Sequence, residues 1–129
     1  MLIEFGALND EACPLQIKGG LVSTANGRKV LSIDVKNLSE APLDGFTFTA
    51  LVFNATGGLK ANRDAGGGRS LPSHEGRRVD LSMERATLTT GDRVVLAVKD
   101  VAWANESWRS IPEDVMAAAK EAVSAAGKP

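Results

Sequence analysis

The sequence predicts a mainly β protein: a two-sheet antiparallel sandwich of about seven strands with one C-terminal α-helix. Three observations carry this expectation. Apolar and polar residues alternate in short runs between Leu15 and Arg109, the pattern of strands with one wet face. Turn residues divide those runs at regular spacing, as in an all-β layer structure. Only after Ser110 does the apolar period become that of a helix.

Residues 2–5 read as a short strand or a tail. Leu15 and Ile17 alternate with Gln16 and Lys18 and stop at Gly19-Gly20. Residues 21–25 form the next run, and Asn26-Gly27 follows as a hairpin turn, because both residues accept positive φ. Leu31, Ile33 and Val35 alternate with Ser32, Asp34 and Lys36, which gives a strand over 29–37 that is apolar on one side. A polar turn from Leu38 to Gly45 leads into a strand over 46–53 whose second half is apolar on both faces.

Residues 54–77 are polar and rich in glycine. A structureless loop of that length is out of place in a small domain. The expectation is therefore a short edge strand near Leu59-Lys60-Ala61, a flexible tip at Gly66-Gly67-Gly68 and a return at Pro72. Val79, Leu81 and Met83 then mark a one-sided strand over 78–84, and Thr89-Thr90-Gly91-Asp92 turns the chain. Residues 94–98 are apolar on both faces, and Val101 and Trp103 continue one of them. A turn at Asn105-Glu106 returns the chain through 107–110, with Trp103 and Trp108 facing each other. Val115, Ala119, Ala122, Val123 and Ala126 form one helical stripe over 112–126. Ser110-Ile111-Pro112-Glu113 has the form of a capping box, Glu113 and Asp114 suit the positive helix start, and Gly127 suits its end.

The difference between one-sided and two-sided strands assigns the sheets. In an immunoglobulin-like sandwich the second and fifth strands share one sheet, and the third, sixth and seventh share the other. Taken in order, 29–37 and 78–84 fall in the first sheet, and 46–53, 94–103 and 107–110 in the second. A sheet that is apolar on its outer face must be covered. The helix is expected to lie there, over Leu51 and Phe53, with Trp108 at the same docking face. The alternative is a homodimer through that face, in which Leu51→Asp or Phe53→Asp separates the subunits. The domain plan is 1–111 for the sandwich, with the Gly-rich insertion at about 55–78, and 112–127 for the helix packed on it.

The run VLSIDVKNLSEAPLDGFTFTALVFNATGGL over 30–59 resembles the core hairpin of small bacterial immunoglobulin-like or fibronectin-III-like accessory domains. The run GRRVDLSMERATLTTGDRVVLAVKDVAWANESW over 76–108 is similar to their back half, which closes on an aromatic residue, a short turn and a Trp. The resemblance spans roughly residues 13–110. The long insertion and the terminal helix depart from it. It implies an extracytoplasmic accessory role and no catalytic, metal or cofactor site.

Composition agrees with a non-enzymatic reading. The 129 residues hold one His, one Cys and no Tyr. That excludes an intramolecular disulfide and every multi-Cys or multi-His metal site. A formal charge of −1 argues against a chain that coats nucleic acid, and no apolar run approaches a membrane span. Met1-Leu2-Ile3-Glu4-Phe5 has no basic leader region. An extracytoplasmic location, with the leader outside this chain, is preferred to a cytoplasmic one.

Local charge supplies the one candidate binding site. Lys60, Arg63, Arg69, Arg77 and Arg78 face only Asp64 and Glu75 within the insertion. Glycine-rich backbone beside cations can hold an anion or glycan, although the P-loop ending is missing; the plain reading is a solvated loop. Ser73 beside His74 suggests a nucleophile and base, but neighbours in sequence seldom meet in that geometry. Trp103 and Trp108 serve either as a stacking platform or, as preferred here, as packing. Cys13 reads as a small buried residue in phase with Leu15 and Ile17. Asn37, Asn54 and Asn105 each begin an Asn-x-Ser/Thr triplet, at strand ends where Asn also suits turns. The preferred function is a non-enzymatic interaction or accessory domain with a protein partner. The alternative is a small-ligand, glycan or anion-binding module built on the insertion.

Overall fold

The computed structural model describes residues 3–25, 28–83 and 88–126. The chain is mainly β, and the described residues form eight strands in two sheets and one helix. The strands are β1 (Glu4–Leu8), β2 (Leu15–Ala25), β3 (Arg28–Asn37), β4 (Leu43–Phe53), β5 (Leu59–Leu71), β6 (Gly76–Ser82), β7 (Arg93–Trp103) and β8 (Glu106–Arg109), followed by α1 (Pro112–Ala126). The larger sheet runs β1-β7-β4-β5, with β8 also on β7, and the smaller runs β2-β3-β6. The one-sided strands β3 and β6 thus share a sheet, as do β4, β7 and β8.

Side-chain phase explains the layers. Leu31, Ile33 and Val35 of β3 meet Phe46, Phe48, Ala50 and Val52 of β4 and Val94, Leu96 and Val98 of β7 in one core between the sheets. Ser32 and Asp34 on the other side of β3 pair with Asp80 and Arg78 of β6 on the wet face. The opposite face of the larger sheet is apolar at Leu51, Phe53 and Val95, and Ala119, Val115, Met116 and Val123 of α1 pack on it. The two-sided half of β4 therefore has two partners, the core and the helix.

Several elements depart from the sequence expectation. The described residues hold eight strands, and the larger sheet is not wholly antiparallel. β1 runs parallel to β7 along Arg93–Ala97, while β8 pairs antiparallel along Asp100–Trp103. Since β4 holds the other side of β7, β1 and β8 occupy one edge end to end. The runs at 15–18 and 21–25 are one strand, β2, whose register shifts between Ile17 and Gly19. Asn9 fills the adjacent gap by accepting from the Ile17 N–H at 2.8 Å and donating to its carbonyl at 3.0 Å.

Val101 and Trp103 continue the face of β7 that holds Val98 in the main core, because the register shifts against β4 between Thr47 and Phe48. A bulge of this kind moves every later side chain to the other face. The last hairpin turns at Ala104-Asn105, not at Asn105-Glu106. Val101 lies opposite Trp108, which sets the two tryptophans diagonally on one face. The capping box does not form either. The Ser110 hydroxyl donates to the Lys99 carbonyl at 3.2 Å, and the Ile111 carbonyl accepts from Val115 at 3.0 Å. Ile111 is thus the residue from which the helix starts, with Pro112 first in it, where a missing N–H costs nothing. The turn expected at Asn26-Gly27, the end of the predicted strand at Glu84 and the helix end at Gly127 lie outside the described residues; the described neighbours Ala25 and Arg28 pair with each other.

Candidate functional site

The Gly-rich insertion is not a loop with a mobile tip. Residues 59–71 form β5, paired with β4 from Leu43↔Leu71 to Phe53↔Leu59. The sequence hid this because the strand lacks apolar alternation. Most of its side chains are exposed, since among the described residues it is an edge strand, paired with β4 alone. Thr47 pairs with Gly67 and Thr49 with Asp64, so Ala65 and Gly66 together oppose Phe48 in a bulge. Gly66 takes φ +91° there, a conformation that disfavours any side chain. A Cβ on Gly67 would fall 1.8 Å from the Phe46 carbonyl oxygen, so β4 and β5 approach closely only because it is glycine.

The five basic residues of the insertion are not brought together. Lys60 hydrogen-bonds Asp92, which is 2% exposed, and its ammonium lies 3.4 Å from the Thr89 hydroxyl. Burial pushes the Asp92 carboxyl up. Hydrogen bonds from Lys60 and the Thr89 N–H, with the Lys60 charge, outweigh that and hold it below the usual carboxylate range. Arg77 of β6 donates to the Arg69 carbonyl at 2.7 Å and the Ser70 carbonyl at 2.9 Å, lacing the two sheets at that end of β5. Arg78 pairs with Asp34 at 3.3 Å on the wet face of the smaller sheet. Arg69 lies opposite Gly45. Arg63 lies opposite the core residue Ala50, in the core-facing phase.

Arg63 stands at a cleft of about 520 Å³ between the edge strands of the two sheets. Ala50, Val52, Leu81 and Met83 contribute apolar surface, Gly66 and Gly67 form part of one wall, and Asp80 and Ser82 belong to the other. Ala61 and Ala65, in the same phase as Arg63, pack against the core. Asp64, in the opposite phase, is held by Lys99 at 2.9 Å. The sheets are therefore pinned by Arg77 at one end of this edge and parted at the other.

The remaining candidates are placed as follows. Leu51 and Phe53 lie under α1, with Ala119 fully buried against them. Trp108 packs against the core between the sheets, and it also lines a groove of about 310 Å³ beside Ile111 and Val115. Ser73 donates to the Ser39 carbonyl at 2.7 Å, and His74 Nε2 lies 3.0 Å from Glu40 Oε1. Their hydrogen bonds point to different partners. Cys13 is buried, its thiol donates to the Leu15 carbonyl at 3.2 Å, and burial pushes it up to about 11. Asn54 Oδ1 accepts from Thr56 and Gly58 to shape the turn before β5.

Two buried polar residues had no separate signal in the sequence. Asn37 is 0% exposed. Its amide donates to the carbonyls of Ala41, Leu71 and Pro72, and its oxygen accepts from the Ser39 N–H and hydroxyl. It joins the end of β3 to both flanking turns. Asp92, the last residue of the expected turn at 89–92, is the other. Among the described residues, no cluster of His, Cys, Asp and Glu could hold a metal ion, and no helix is long and apolar enough to cross a membrane.

No family model, curated protein or solved structure matches the chain.

Proposed function

We propose that this chain is a non-enzymatic interaction domain with immunoglobulin-like topology, which recognises a protein partner through the open edge of β5. The sheet orders support the topology. β2-β3-β6 corresponds to the first, second and fifth strands of such a sandwich, and β8-β7-β4 to its seventh, sixth and third. The observation that carries the functional reading is β5 itself. It is a thirteen-residue strand with mostly exposed side chains and, among the described residues, a strand neighbour on one side only. Such an edge offers unpaired N–H and C=O groups to an extended segment of another chain. The basic insertion that the sequence offers as a binding site thereby coincides with a sheet edge.

The anion-binding alternative has less support. Lys60, Arg77 and Arg78 already serve Asp92, backbone carbonyls and Asp34. Arg63 and Arg69 are six residues apart on one strand, about 20 Å at the strand rise. A photo-crosslinker placed at Asn62 on β5 or at Ser32 on the smaller sheet tests the reading in the native cell. The expected result is one protein crosslinked from Asn62 and not from Ser32, which then binds the domain when both are pure. Equal crosslinking from both positions, or none from Asn62, contradicts it.

A further inference from the structure

Resting on the β5 reading, we infer that the partner presents an extended segment with the pattern apolar-x-acidic-x-apolar, whose carboxylate meets Arg63 and whose apolar side chains enter the cleft between β5 and β6. A strand added beside β5 continues the larger sheet past its edge. Residues directly opposite in a ladder share a face, so every second side chain of the added strand points between the sheets. That space is the cleft of about 520 Å³ beside Leu81 and Met83.

The core-facing phase of β5 reads Ala61, Arg63, Ala65. The two alanines are short, which leaves room above them for apolar side chains from the incoming strand. Between them stands a guanidinium without an ion pair or hydrogen bond among the described residues. A carboxylate across the ladder can take it in a charge-assisted, two-pronged hydrogen bond. Asp80 also borders the cleft, but it lies opposite Ser32, in the outward phase of β6. The available stretch ends before Arg69, because Arg77 already holds the Arg69 and Ser70 carbonyls. The ladder supplies affinity, and the acid between two apolar residues supplies selectivity.

The test uses the whole chain and the probe Ac-Thr-Val-Thr-Glu-Thr-Val-Thr-NH2, with a second peptide carrying Gln in place of Glu. Binding is read from backbone amide resonances, and affinity from their titration. The expected result is perturbation centred on residues 61–67. Glu-to-Gln in the peptide and Arg63→Gln in the protein should each weaken binding by about tenfold. Combined, they should weaken it little further, because both remove one interaction. Equal binding of the two peptides on β5 overturns the acidic preference and leaves the edge reading standing. Failure of both peptides to perturb residues 61–67 at millimolar concentration overturns the inferred pattern, while crosslinking from Asn62 judges the edge reading separately. An unchanged amide spectrum elsewhere in Arg63→Gln shows that the variant is folded.

Discussion

Asp92 ties the start of β7 to the start of β5, and its carboxylate is buried with Lys60 as its cation. Removing one member of such a pair leaves the other uncompensated. Asp92→Asn is expected to cost about 2 kcal/mol at neutral pH, read from urea midpoints. The folded carboxyl lies below its unfolded value. Its contribution is therefore complete above the unfolded range near about pH 4 and is lost as pH falls through the lower folded value. The wild type should lose stability on that acid limb more steeply than Asp92→Asn. Asn37→Ala should cost about 3 kcal/mol in the same assay, since it strands several buried carbonyls. Ala104 takes φ 49° at the first loop position of the β7–β8 hairpin, where a type II′ turn prefers glycine. Ala104→Gly is expected to raise stability by about 1 kcal/mol. The burial of Asp92 and Asn37 was illegible in the sequence for one reason. A polar residue in a turn looks solvated until the tertiary structure shows what covers it.

At the scale of elements, apolar patterning located β3, β4, β6 and β7, but of the mostly exposed β5 it located only the short edge strand near Leu59-Lys60-Ala61. β3, β4, β6 and β7 announce themselves through alternation or two-sided runs because each buries side chains on a sheet face. β5 buries little, so its residues carry backbone requirements instead. Gly67→Ala tests this directly. A Cβ that meets the Phe46 carbonyl must part β4 from β5, at a cost of about 3 kcal/mol. Gly6→Ala, with open space at the same position, should be close to neutral. The covering helix was legible from its stripe, but its start was not. Ser110 has the side chain of a cap and spends it on Lys99 of β7. Because Leu51 is buried under α1, Leu51→Ala should cost about 3 kcal/mol. Leu51→Asp should release the helix, seen as lost helical circular dichroism, and not separate a dimer.

For the whole molecule, the assignment of strands to sheets was readable from which strands are apolar on both faces. Bulges were not readable, and they decide where side chains point. The shift in β7 brings Val101 into the core, and the bulge in β5 sets Gly66 beside the cleft. Two of the five basic residues of the insertion, Lys60 and Arg78, pair with acids from distant parts of the chain, Asp92 and Asp34, so a local excess in sequence is not one gathered basic patch in space. What remains for recognition is a long edge, parted from the smaller sheet and held at one end. Hydrogen–deuterium exchange across Leu59–Leu71 in the isolated protein tests this most directly. An open edge strand should show alternating protection, with amides bonded to β4 exchanging slowly and outward amides exchanging fast. Uniformly fast exchange through the segment would make it a structureless loop and contradict the edge on which the proposed function rests.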